Sequence, residues 1–270
     1  MELNVKSNYQ EFILMVVVST TSPQKIRVIL KDAEYKDTIF TDRYHVVDGS
    51  YTFYIRVPVS GKKALLVIYN DDIGNIPSIS DKTFTLVKAK MLPLEKRYDC
   101  VDMTDTYIKS YVKFCTKFCF NAGHLPSGTY KSSDGLYTIE YLPIIADDNG
   151  AEVNTCARIS KDNGMIQVSQ KKFVPMTVPM RMAIMLHEFS HFFVNDNMND
   201  EIEADLNAMI IYLCLGYPRI EAMQAFTEAF QGAPTDQNVE RVEIVREFLM
   251  EFDSAKNATF FRPYKVVNNG

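Results

Sequence analysis

The chain has no tryptophan and only four histidines in 270 residues, so each histidine must be accounted for. It has no apolar run of the ~18 residues that a membrane-spanning helix requires. The 29 Lys and Arg are outnumbered by 34 Asp and Glu, and the net charge of -5 leaves no basic footprint for non-specific nucleic-acid binding. Neither nucleic acid nor membrane is therefore an expected partner. The five cysteines (Cys100, Cys115, Cys119, Cys156, Cys214) are odd in number and scattered, which argues against a disulfide scaffold. Cys115 and Cys119, four apart on a helical pattern, read as small apolar residues of a buried face. The apolar run at 12–19 has the length of a signal-peptide core. The residues before it are not clearly cationic, however, and no small-residue cleavage site follows, so it reads as a β-strand. The expected location is cytoplasmic or intracellular.

What remains is an ordinary globular composition, 47% hydrophobic and 23% charged, long enough for one large domain or two modest ones. Residues 1–92 read as all-β. Short β-branched and aromatic runs at 12–19, 25–30, 38–47, 50–59, 64–69 and 83–89 are separated by turn signals such as Asp48-Gly49 and Ser60-Gly61. Around seven strands in this space suggest an immunoglobulin-like β-sandwich serving as a docking or interaction domain. His45 is isolated there and is expected to be structural.

The pattern changes across MLPLEKRYD at 91–99, and residues 93–270 form the second domain. A helical stripe of Ile108, Tyr111, Val112, Cys115 and Cys119 spans about 102–122. Strands are expected at 136–143, 153–160 and 164–169, with Asp162-Asn163-Gly164 as the hairpin turn between the last two. Four helices then follow, at about 178–195, 199–215, 218–231 and 236–253. The fold class is therefore α+β: an N-terminal sandwich, then a domain with a small antiparallel sheet and a set of helices.

Two of the four histidines fall in His187-Glu188-Phe189-Ser190-His191. On a helix, positions i and i+4 share a face, so His187 and His191 can offer two imidazole nitrogens to one tetrahedral zinc. Glu188, beside the first ligand, can take a proton from water on the open side of the metal. A third protein ligand is needed, and the next helix opens Glu201-Ile202-Glu203-Ala204-Asp205. Glu201 and Asp205 share a face, so Glu201 can ligate while Asp205 fixes the outer nitrogen of a ligating histidine. Glu203 points elsewhere and is the weaker candidate.

HEFSH followed by EIEAD resembles the gluzincin clan of zinc peptidases, whose pattern is HExxH and then ExxxD on the next helix. The resemblance covers about residues 102–253. It implies a zincin-like domain in which an active-site helix is followed by a glutamate helix. His187, His191 and Glu201 would hold Zn2+, Glu188 would be general base and acid, and Asp205 would support a ligand. It also implies that a sheet strand beside the cleft holds a peptide or protein substrate as an added β-strand; Met165, Ile166, Gln167 and Val168 are the expected counterpart. Such sites carry a group that stabilises the oxyanion, for which His124, Tyr212, Tyr217, Arg262 and Tyr264 are available. The activity expected is zinc-dependent endopeptidase hydrolysis. The alternative is a structural or assembly protein, for example of a phage or virus particle, in which the sandwich mediates a homo-oligomer or larger assembly and the zinc domain is idle.

Overall fold

The computed structural model describes residues 1–74, 82–94, 106–231 and 235–252. The chain is α+β and divides into two compact units: Met1–Glu95 with Gly216–Pro218, and Lys96–Leu215 with Arg219–Gly270. Among the described residues, no helix is long and apolar enough to cross a membrane.

The first unit contains β1 (Glu2–Val5), β2 (Phe12–Ser19), β3 (Gln24–Asp32), β4 (Ile39–Val47), β5 (Ser50–Val57), β6 (Ala64–Asn70) and β7 (Thr85–Pro93). In β2, Phe12, Leu14, Val16 and Val18 are buried while the residues between them are half-exposed. Ile26, Val28 and Leu30 do the same in β3. This period of two gives each sheet one inner face. The strands form two sheets, β1-β6-β3-β4 and β5-β2-β7. An immunoglobulin-type order would seat the first strand beside the second and the last beside the sixth. Here β1 pairs with β6 and β7 pairs with β2, so the two terminal strands exchange places. His45 stacks on Tyr51 with ring centroids 3.9 Å apart, across the Asp48-Gly49 turn that joins β4 to β5.

The second unit contains α1 (Thr106–Asn121), β8 (Gly128–Lys131), β9 (Thr138–Leu142), β10 (Ala157–Ile159), β11 (Ile166–Ser169), the single-turn α2 (Gln170–Phe173), α3 (Val178–Phe193), α4 (Glu201–Cys214), α5 (Arg219–Gln231) and α6 (Asp236–Glu251). The sheet order is β10-β11-β9-β8. It is mixed, not antiparallel as the sequence suggests, because β11 runs parallel to β9. The connection of residues 143–156 carries the chain past the β11 position to β10, which runs opposite to β9, and the turn from β10 into β11 restores the β9 direction.

Helix α3 starts where the Thr177 side chain accepts the Met180 N–H, with Pro179 in its first turn. Every residue from Val178 to Leu186 is buried, so this helix forms the centre of the unit. Tyr111 of α1 donates to the Met185 carbonyl at 2.6 Å and stacks on Phe189 with centroids 3.9 Å apart. The fully buried Arg181 donates to the carbonyls of Cys119 (2.9 Å), Phe173 (3.1 Å) and Val174 (2.6 Å). One guanidinium thus satisfies carbonyls at the ends of α1 and α2 and anchors both on α3.

Cys115 and Cys119 are buried free thiols with sulfurs 3.8 Å apart, as expected of a packed helix face. Cys156 is also free, whereas Cys214, at the end of α4, is disulfide-bonded, which the scattered spacing does not suggest. Cys100 lies outside the described residues.

The turn between β10 and β11 is fixed to the motif helix. Gly164 has φ +69°, and a Cβ there would come within 2.9 Å of Phe193 and 3.0 Å of Phe192. Gly164→Ala is expected to lower stability by more than about 1 kcal/mol, combining left-handed backbone strain with the clash. Urea denaturation of the full chain measures this; an unchanged midpoint would show that the turn is not pinned.

Candidate metal centre

The α3–α4 connection sets the spacing between the HExxH residues and Glu201. Asp200 caps α4 by accepting the Glu203 N–H at 2.9 Å. Glu203 in turn accepts the Asp196 and Asn197 N–H groups at 3.1 and 3.3 Å. Asn195 donates to the Asp200 carbonyl at 2.9 Å. Glu203 is thereby committed to the loop, leaving Glu201 to face α3.

His187, His191 and Glu201 each offer one ligand atom, and these atoms lie within 4.8 Å of one another. The two Nε2 atoms are 3.1 Å apart. Glu201 places Oε2 3.5 Å from His187 Nε2 and Oε1 3.5 Å from His191 Nε2. An ion bonded at about 2.1 Å to the corners of a tetrahedron separates its ligand atoms by about 3.4 Å. The two imidazole nitrogens and the Glu201 carboxylate, with one oxygen near each, could therefore hold a metal ion between them.

Tautomers give a second argument. His191 Nδ1 lies 3.0 Å from the Met198 carbonyl, which only accepts, so this nitrogen carries the hydrogen. His187 Nδ1 lies 2.8 Å from the buried Asp205 carboxylate, off hydrogen-bond alignment, and the acceptor-only carboxylate still assigns a hydrogen to this nitrogen too. Both Nε2 atoms then present lone pairs to each other, an arrangement that needs a cation between them. Without metal, a proton can serve. Burial alone would lower the His187 pKa, but Asp205 and Glu201 hold it up at about 10. The two imidazoles keep the Glu201 carboxyl far below its usual range.

Glu188 projects into the same cleft, which has a volume of about 320 Å³ and is walled by β10 on one side and by Ile184 and Phe226 on the other. Burial raises the Glu188 pKa, while the neighbouring histidines and the Ile159 backbone N–H oppose the shift. The carboxylate is thus a stronger proton acceptor than one in water.

Arg241 of α6 completes the site and is not singled out by sequence reasoning. Its guanidinium grips Asp205 with Nε to Oδ2 at 2.8 Å and NH2 to Oδ1 at 3.0 Å, and reaches Glu201 Oε2 at 3.1 Å. Its signal was present: Arg241, Val245 and Leu249 form the buried i, i+4, i+8 stripe of α6, and a charge on such a stripe requires a buried partner.

The expected substrate strand needs correction. Met165, Ile166, Gln167 and Val168 belong to or adjoin β11, which pairs with β10 on one side and β9 on the other. With both edges occupied it cannot accept another strand, and none of the four residues lines the cleft. The strand beside the cleft is β10, at the sheet edge. Of the oxyanion candidates, Tyr212 and Tyr217 are buried, and neither they nor His124 line the cleft. Arg262 and Tyr264 lie outside the described residues.

No protein family, no curated protein and no solved structure matches this chain.

Removing the Arg241 fork should loosen the ligands without deleting one. Arg241→Met is expected to weaken divalent-metal affinity about 10- to 100-fold, as for other residues that orient ligands. Competition against a chromogenic chelator reads this directly; wild-type affinity in the variant would remove Arg241 from the site.

Proposed function

We propose that the protein is a zinc-dependent endopeptidase. The observation that carries this reading is the placement of Glu188 in the same cleft as a His2Glu ligand set, beside an open sheet edge. Two imidazoles and a carboxylate at tetrahedral spacing, with room for a further ligand, suit zinc better than the oxygen-seeking calcium or magnesium. Bound zinc supplies a positive charge that acidifies water and polarises a carbonyl.

The chain's own residues supply the rest. His187, His191 and Glu201 would hold the ion, with Asp205 and the Met198 carbonyl fixing the histidine tautomers. Glu188 accepts the proton lost by the attacking water at its carboxylate, and returns it to the departing amine. Hydrolysis is then balanced: oxygen goes to the carbonyl carbon, hydrogen to nitrogen, and the C–N bond breaks. The raised proton affinity of Glu188 suits both transfers. By this reading the second unit is a zincin-like domain and the first a docking module.

The decisive variant is Glu188→Gln, which keeps the shape of the side chain and removes its basicity. It is expected to retain zinc and to lose at least about 100-fold in cleavage of unstructured peptides. Equal cleavage by wild type and variant would reject the assignment. Zinc binding with no cleavage by the wild type would favour the assembly role instead.

A further inference from the structure

The open edge of β10 has a defined chemistry. Ser160 N–H donates to Met165 O at 2.8 Å and Ser169 N–H to Cys156 O at 2.9 Å, so Cys156 and Ser160 direct their backbone groups toward β11. By the alternation of an antiparallel ladder, Arg158 does the same, while Ala157 and Ile159 direct theirs to the opposite edge. Among the described residues no strand pairs with that edge. The Ile159 N–H meets Glu188 and the Ala157 carbonyl accepts from Thr155 Oγ1 at 2.6 Å, so an antiparallel peptide added there would hydrogen-bond to the Ala157 N–H and the Ile159 carbonyl. Its residue facing Arg158 would then sit at a non-hydrogen-bonded position, where opposed side chains come closest.

Arg158 is the end of a polar ladder across the exposed face of the sheet. Glu140 on β9, Gln167 on β11 and Arg158 on β10 are directly in register. Gln167 donates to Glu140 Oε2 at 2.8 Å, and Arg158 Nε donates to Gln167 Oε1 at 2.7 Å. The other Arg158 hydrogen bond goes to the Ala146 carbonyl at 3.1 Å. The guanidinium therefore meets neutral acceptors, and it is exposed. Lys161, further along the same cleft wall, likewise bonds a neutral acceptor, Asn199 Oδ1, at 2.5 Å. The acids of the cleft, Glu188 and Glu201, belong to the metal centre.

We infer that the edge strand selects extended peptides carrying an aspartate or glutamate at the position opposite Arg158, with Arg158 as the specificity-determining residue and Lys161 adding to the field. The ladder that runs acid, amide, guanidinium across three strands is continued by an acid on the fourth. This rests on the peptidase reading and adds a substrate class to it.

The test uses the full-length, zinc-loaded protein and a library of unstructured peptides, with cleavage products read by mass spectrometry. Asp or Glu should be enriched at one fixed distance from the cleaved bond. Peptides with the acid should exceed their Lys counterparts by about three- to tenfold in kcat/KM, the size of one cross-strand charge pair against its like-charge clash. Arg158→Glu should invert the preference at that position toward Lys and Arg. Zinc-loaded Glu188→Gln should show the same preference in peptide Kd, which separates binding from turnover. Cleavage with no acidic preference, or a preference unchanged in Arg158→Glu, overturns this inference and leaves the peptidase reading standing. Zinc binding without cleavage of any peptide overturns both.

Discussion

The contact on which the site depends is the buried carboxylate of Asp205. It is 1% exposed and serves two partners, His187 Nδ1 and the Arg241 fork. A lone carboxylate at that depth would be heavily penalised; between an imidazole N–H and a guanidinium it is fully engaged. The same pair joins α3, α4 and α6, so the position of Glu201 relative to the two histidines follows from helix packing and not from a flexible loop. Small residues help: Ala204 and Ala208 are buried on α4.

A second constraint joins the helices to the sheet. Ile159 N–H meets Glu188, and Gly164 packs against Phe192 and Phe193. The open strand edge is thereby held beside the candidate base. The cleft and the strand edge are then one structure: whatever fixes α3 fixes the distance from Glu188 to the edge. Arg181, deep in α3 and bonded to three carbonyls, supports this helix from its far side.

Local features were legible in the sequence and long-range ones were not. The period of 3.6 locates α3, α4, α5 and α6 to within a few residues, because it is written in neighbouring positions along the chain. The HExxH and ExxxD spacings are equally local. Strand partnership is different. Alternation marks β2 and β3 as strands but says nothing about which edge each will meet, so the exchange of β1 and β7 and the parallel β9–β11 pair were invisible. The choice of β11 as a strand with a free edge failed for this reason: the edge strand β10 has only three residues, and its position is a property of the whole sheet. Arg241 lies 36 residues from Asp205 and could be sensed only as a charge out of place on an apolar stripe.

The central claim is that His187, His191 and Glu201 hold one metal ion. The most direct measurement is metal content per chain, by mass spectrometry of the elements, after zinc loading and exhaustive dialysis of the full-length protein. The account predicts one equivalent in the wild type and loss of that equivalent in His187→Ala, with the fold retained by circular dichroism. A folded wild-type chain with substoichiometric metal, or an equivalent that survives His187→Ala, would contradict it.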